Sequence, residues 1–313
     1  MAHGALRPKR WLAWSFLWVH FGLAIGCASP TYHYGLQRSL APSPPPDAIN
    51  AITFGGDHPR LDRCARIVHY PMDTLQGWFV HRPADAPTPT ELRRDALFKA
   101  QNYLVRNSLQ DVRIDVGEYD PAEQWRRLRE NTDVHPLWKY TAGSITHLQY
   151  AWLPGRVFHY DKYNLFTNTL TINSTQPSMA LYEAAESKVL RDRRYPGAHL
   201  AACYLPVVPL VKDVEVANDV LSYARLQEDW EIEKQLTPHI YAAFGADVIS
   251  QATSLVPGAS YMPFYYRPLL VVVGAAAGKA SGKAVVKERE FERKLMSMLH
   301  SDDPERKARF DLR

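Results

Sequence analysis

The first sixty residues of this chain are poorly suited to a packed core. Met1–Arg10 carries Arg7, Lys9 and Arg10 and no acid, and Trp11–Ile25 follows as an apolar run. Small residues then lead into Cys27 through Ala24-Ile25-Gly26. A cationic start, a short apolar run and a small-residue junction are the parts of a secretory signal peptide. A membrane-crossing helix needs about 20 apolar residues, so this run is too short for a single-span anchor. Beyond it lies the proline-rich stretch Pro42–Pro46. Such a composition favours extended spacers over packed elements. The expected division is a signal segment over 1–26, a tether over 27–60, a folded body over 61–260 and a C-terminal segment over 261–313.

The Gly26-Cys27 junction resembles the lipobox of bacterial lipoproteins, with Ala24 where that pattern prefers leucine. The resemblance implies an acylated Cys27, carrying palmitate or a similar chain, and therefore a membrane partner at the cell envelope. Ala28 stands where an aspartate would retain such a protein at the inner membrane, which points to the outer membrane, facing the periplasm. Ordinary secretion with Cys27 as an incidental thiol is the alternative. Cys64 and Cys203 then remain, as a disulfide or as two free thiols, and sequence leaves both open. Without the three leading cations the 37 basic residues fall to 34, against 33 acids. That balance offers no basic surface for nucleic acid.

Within the body, Thr88-Pro89-Thr90-Glu91 has the capping-box spacing, and Leu92, Ala96, Leu97, Ala100, Tyr103 and Leu104 recur at helical intervals. They predict a helix through about Val105. Val112–Val116 alternates as a half-buried strand, and a short helix is expected over Pro121–Arg129. Ile145–Tyr150, Arg156–Tyr160 and Leu165–Ile172, rich in aromatic, branched and threonine residues, read as strands. Ser174, Thr175 and Pro177 announce a helix to about Arg194. Helical sequence resumes at Ala198, interrupted by Pro206 and Pro209, with a further stretch over Lys212–Lys234. Strands and a helix followed by helices make an α+β pattern with a mixed or antiparallel sheet.

The stretch with most chemistry is Leu181-Tyr182-Glu183-Ala184-Ala185-Glu186. Helical spacing puts Tyr182, Glu183 and Glu186 on one side and Leu181, Ala184 and Ala185 toward the other. Glu215-Val216-Ala217-Asn218-Asp219 follows on the next helical stretch. This order resembles the gluzincin family of zinc metallopeptidases, in which HExxH supplies two histidine ligands and a base, and a downstream ExxxD supplies a third ligand and an orienting aspartate. The resemblance implies a zincin-like fold and places Glu183 at the general-base position and Glu215 at the third ligand. It places Asp219 at the orienting acid and Leu165–Ile172 at the substrate-holding edge strand. Tyr182 and Glu186 stand where the two histidines would be. A neutral phenol is a poor ligand, and carboxylates without imidazole do not suit zinc.

Without metal-bound water, whose pKa falls from about 15.7 to about 7, Glu183 has no activated nucleophile. The implied function is that of a pseudo-metallopeptidase with no metal and no cofactor, binding or scaffolding a peptide or envelope protein. The alternatives are a peptidase that holds a divalent cation on Glu186 and Glu215, or an unrelated structural lipoprotein. Three acids buried together would raise one another's pKa values or recruit a base, with Lys188 and Arg191 nearest along the helix. An internal polar network would then cross-link the two helices in the metal's stead.

His199 and Cys203, four apart, are expected to be packing residues. Pro268 opens a further helix in which Gly274, Gly278 and Gly282 recur every fourth residue. Arg267 and Lys279 bracket a run far short of a span, so close packing against the body is favoured over membrane insertion. Phe291, Leu295, Met298 and Leu299 mark an apolar seam beyond it.

Overall fold

A computed structural model of the chain describes residues 32–37, 49–67, 89–205, 207–255 and 266–299. The signal-like segment, Cys27, the Pro42–Pro46 stretch and the residues after 299 lie outside the described residues. The described residues fall into two compact units, 32–227 and 228–299.

The first unit is α+β, with four strands: β1 (Ile52–Phe54), β2 (Arg113–Val116), β3 (Lys162–Asn164) and β4 (Thr169–Ile172). They lie in the order β1-β2-β4-β3. β1, β2 and β4 are parallel and β3 is antiparallel to β4, so the sheet is mixed. Parallel neighbours need long crossovers. Between β1 and β2 the chain forms helical turns at 59–67 and α1 (Pro89–Arg106). From β2 to β3 it runs through α2 (Pro121–Glu130), α3 (Pro136–Tyr140), α4 (Ala142–Trp152) and α5 (Gly155–Phe158). After β4 come α6 (Pro177–Arg191), α7 (Pro196–Ala202) and α8 (Val208–Leu226).

The core sits between the sheet and the pair α1 and α6, which pack on each other. Ile114, Leu170 and Ile172 from the strands are fully buried, as are Ala96, Ala100, Tyr103 and Leu104 of α1. α6 adds Leu181, Ala184 and Ala185. The alanines let the helices approach closely, and each buried Leu or Ile contributes about 1.5–3 kcal/mol. One charge is buried on the opposite face of the sheet, since side chains alternate along a strand. Asp115, with no exposed surface, accepts hydrogen bonds from Arg127 Nη1 at 2.8 Å, Gln124 Nε2 at 3.0 Å and Arg113 Nε at 3.3 Å. These bonds tie α2 to the middle of β2.

Four expectations are corrected. The body does not begin near Leu61: β1 pairs with β2 upstream of that point. Residues 32–37 are also strapped down, with Tyr32 Oη donating to Asn107 Oδ1 at 2.8 Å and Lys188 Nζ donating to the His33 carbonyl. Ile145–Tyr150 lies in helix α4, not in a strand. Its buried face is Ala142, Gly143 and Thr146, and Gly143 is pressed so close to the Phe166 ring that an added Cβ would sit 3.0 Å from it. Arg156–Tyr160 contains the single turn α5, which ends where His159 takes a left-handed φ of 52°. Leu165–Ile172 is strand only from Thr169, because Leu165–Asn168 makes the β3–β4 turn around Asn168 at φ 47°.

The second unit begins earlier than residue 261. Glu228 takes a left-handed φ of 55°. The Ile232 N–H then donates to Asp229 Oδ1 at 3.2 Å. A side-chain acceptor of this kind caps a helix start, so the expected Lys212–Lys234 helix ends here and another begins. α9 (Trp230–Leu255) and α10 (Tyr266–Leu299) pack along each other as a helical hairpin. The glycine stripe packs on α9, within the same unit. A Cβ on Gly274 would strike the Gly245 carbonyl, one on Gly278 the Tyr241 carbonyl, and one on Gly282 the Pro238 Cα. Leu269–Met298 is long and apolar enough to cross a membrane, by length and composition. The seam beyond Lys283 is open, with Phe291 65% exposed.

Candidate functional site

α6 is launched by a buried acid. The Asp161 carboxylate accepts the N–H groups of Asn173 and Ser174, each at 2.7 Å, and the Ser174 hydroxyl at 2.6 Å. Burial holds this carboxyl above its ordinary value, and those bonds offset only part of that rise. Pro177 then occupies the first helical turn. Its missing N–H costs nothing there. The helix that follows presents no solvated face. Leu181, Ala184, Ala185, Ser187, Lys188 and Leu190 are buried, and Tyr182, Glu183 and Glu186 are half-buried.

Each of the expected site acids has a protein partner. Glu183 Oε2 accepts the backbone N–H of Tyr163 at 2.8 Å, so it caps a group on β3. Burial raises the Glu183 carboxyl well above its ordinary value, and nearby Glu186 raises it further. Glu186 Oε1 takes Lys212 Nζ at 2.8 Å. Burial alone would lower the Lys212 ammonium, but Glu186 and Asp213 more than offset it and hold the charge. Glu215 is ion-paired with Arg193. Asp219 accepts from Lys188 Nζ at 2.7 Å and from the Tyr103 hydroxyl. Lys188 also lies 4.0 Å from the Tyr32 ring centroid. That is within cation–π range. Burial pushes the Asp219 carboxyl up and Lys188 pulls it down.

Three ion pairs therefore join the α6 segment to α8: Glu186–Lys212, Lys188–Asp219 and Arg193–Glu215. Lys212, Glu215 and Asp219 recur at three- and four-residue intervals, one stripe of α8. That spacing is the signal that reading ExxxD alone passes over, since Lys212 precedes it on the same stripe. Of the two bases nearest along α6, Lys188 bonds Asp219, while Arg191 turns away to Asp111 Oδ1 at 2.7 Å.

The expected residues do not converge in one cleft. Glu215 and Asp219 border a cavity of about 300 Å³ with Tyr32, Lys188, Asp192 and Arg193, and its lining excludes Tyr182, Glu183 and Glu186. The expected substrate strand is likewise corrected. β4 lies between β2 and β3, so both its edges are already paired, and on the outer strand β3 the Tyr163 N–H is taken by Glu183. Among the described residues no three His, Cys, Asp or Glu side chains form a group that could hold a metal. Cys64 and Cys203 are free thiols, Cys64 exposed and Cys203 half-buried. His199 Nε2 is buried without a partner. No protein family, curated protein or solved structure matches the chain.

The state of Glu183 has a measurable consequence. Its folded-state pKa lies above the ordinary 4.5, so the folded chain holds that proton more tightly than the unfolded one. The stability this confers is complete below the ordinary value and declines as pH rises from there through the folded value. Glu183→Gln keeps an acceptor for the Tyr163 N–H and cannot ionise. Its urea midpoint should exceed that of the parent chain at about pH 8, and the gap should close toward about pH 4.5. A gap that is constant with pH would mean that Glu183 is not buried as a proton-holding acid.

Proposed function

We propose that this chain is a lipid-anchored protein of a bacterial cell envelope, whose α+β unit is a binding or scaffolding module and not a peptidase. The observation that carries the non-catalytic part is the cross-helix pairing. A cation bound by Glu186 and Glu215 would have to displace Lys212 and Arg193. In this reading β4, α6 and α8 keep the order of a degenerate metallopeptidase-like domain, with the Glu186–Lys212 ion pair where one imidazole ligand would stand. A peptide or envelope protein partner would dock elsewhere than along β4, which has no free edge.

The membrane part rests on the signal-like amino terminus and Cys27. Two acyl chains on one residue suffice for stable anchoring, at about 0.8 kcal/mol for each buried methylene. Fractionation with elemental analysis tests both parts. The parent chain should partition with membranes, the Cys27→Ala chain should move to the soluble fraction, and neither should carry stoichiometric metal. Stoichiometric metal that disappears together with a hydrolytic activity in Glu215→Ala would overturn the non-catalytic reading. A Cys27→Ala chain that stays with membranes would overturn the lipid anchor.

A further inference from the structure

The three parallel strands end together. Their register sets Phe54, Val116 and Ile172 in one row, and the next residue of each strand, Gly55, Gly117 and Asn173, lines a cavity of about 450 Å³. Ligands of parallel sheets commonly lie beyond the carboxyl ends of the strands, and this volume suits a small molecule. Its floor is bare backbone. A Cβ on Gly55 would strike the Gly117 carbonyl. Gly117 itself takes a φ of 64°. That conformation favours glycine.

The walls are cationic, with Arg66, Arg93 and Arg156 against the single carboxylate of Asp62. Arg156 and Asp62 neutralise each other. Arg156 Nε and Nη2 donate to the two Asp62 oxygens at 2.8 and 3.1 Å, and Nη1 donates to the Gly56 and Gly117 carbonyls. That pair builds the wall. Arg93 is different. It makes no hydrogen bond or ion pair with a described residue, and its Nε is shut off from water without an acceptor. Asp161, whose charge Arg93 stabilises from a distance, already has its oxygens filled by Asn173 and Ser174. Arg66 also has no partner among the described residues.

A guanidinium group held in a cavity without an acceptor is costly, and a tetrahedral oxyanion supplies the missing acceptor in the fork geometry that arginine favours. Two guanidinium groups without a hydrogen-bonded acceptor among the described residues match a dianion better than a single carboxylate. We propose that this cavity binds a small phosphomonoester, with Arg93 and Arg66 on the phosphate and the glycine floor against the organic remainder. The assignment goes beyond the binding-module reading and does not depend on it, since none of these residues belongs to the α6–α8 ion pairs.

Calorimetry on the intact chain at low salt tests it, with inorganic phosphate, glycerol 3-phosphate, acetate and glycerol as probes. Both phosphates should bind with Kd below about 1 mM, and glycerol should give no heat. Arg93→Gln should weaken binding at least about tenfold, the scale expected for losing a charged hydrogen bond. Arg66→Gln, at an exposed position, should leave the fold intact and weaken binding severalfold. Arg126→Gln, which removes an exposed α2 charge outside the cavity lining, should leave it unchanged. The absence of heat from either phosphate, acetate binding as tight as glycerol 3-phosphate, or full affinity in both Arg93→Gln and Arg66→Gln would overturn the proposal.

Discussion

Lys212→Met should lower the unfolding free energy of the α+β unit by about 3 kcal/mol, the cost of removing one partner of a buried ion pair. Lys212 and Glu186 have side chains only 14% and 13% exposed, so solvent does little to replace the lost ammonium. The loss is compounded by Glu183, whose carboxyl already feels Glu186 and would lose the nearby positive charge that moderates it. Chemical denaturation at neutral pH measures this directly, and the denaturant slope should stay unchanged because the surface exposed on unfolding does not change. A paired substitution separates burial from attraction. Lys212→Met with Glu186→Leu removes both charges and should recover most of the loss, since apolar replacement of a whole buried pair is often neutral or stabilising. A single variant as stable as the parent chain would show that the α6–α8 pairs do not cross-link the helices.

Arg127→Met comes next in size, at about 2–3 kcal/mol. Arg127 Nη1 donates to both Asp115 Oδ2 at 2.8 Å and Thr169 Oγ1 at 3.2 Å, so one guanidinium group touches two neighbouring strands from α2. Its removal leaves a fully buried carboxylate with Gln124 and the longer contact from Arg113. Arg127→Lys restores a charge without the fork and should recover only part of the loss. Hydrogen exchange of the β2 and β4 amides offers a second reading, because protection there should fall before protection in α9 does.

Much of the scaffold was legible because its start signals are local. Pro89, Pro121 and Pro177 each sit in the first turn of a helix, and α1, α2 and α6 lie within a few residues of where spacing places them. β2 was equally plain from its alternation. β1 was not, since it is one of the shortest elements and its partner lies far along the chain, beyond α1. α4 was misread because Ile145, Thr146 and Tyr150 favour strands in isolation. As a helix the segment brings Gly143 so close to Phe166 and Leu128 that an added Cβ would crowd both, a tertiary fit that local preference does not register.

The site was legible only in part, for a related reason. Glu183, Glu186, Glu215 and Asp219 could be found by spacing, but spacing does not reveal which base faces which acid. Lys212 reaches Glu186 across 26 positions, and Lys188 reaches Asp219 across 31. The cavity beyond the strands was less legible still. Gly55, Arg66, Arg93, Gly117, Arg156 and Asn173 come from six separate stretches; the sheet register aligns the strand ends at Gly55, Gly117 and Asn173, and helices packed around them supply the three arginines.

The charge order across α6 and α8 also works as a key. Slipping α8 by one turn would carry Glu215 into the place of Lys212 and set it against Glu186, acid facing acid. Neighbouring apolar residues such as Val216 and Val220 tolerate small displacements far better than such a mismatch, so the order of one base followed by two acids on α8 records position more than it adds strength. Helices keyed in this way assemble in a single alignment, and a chain that lost the pattern would be free to settle in several.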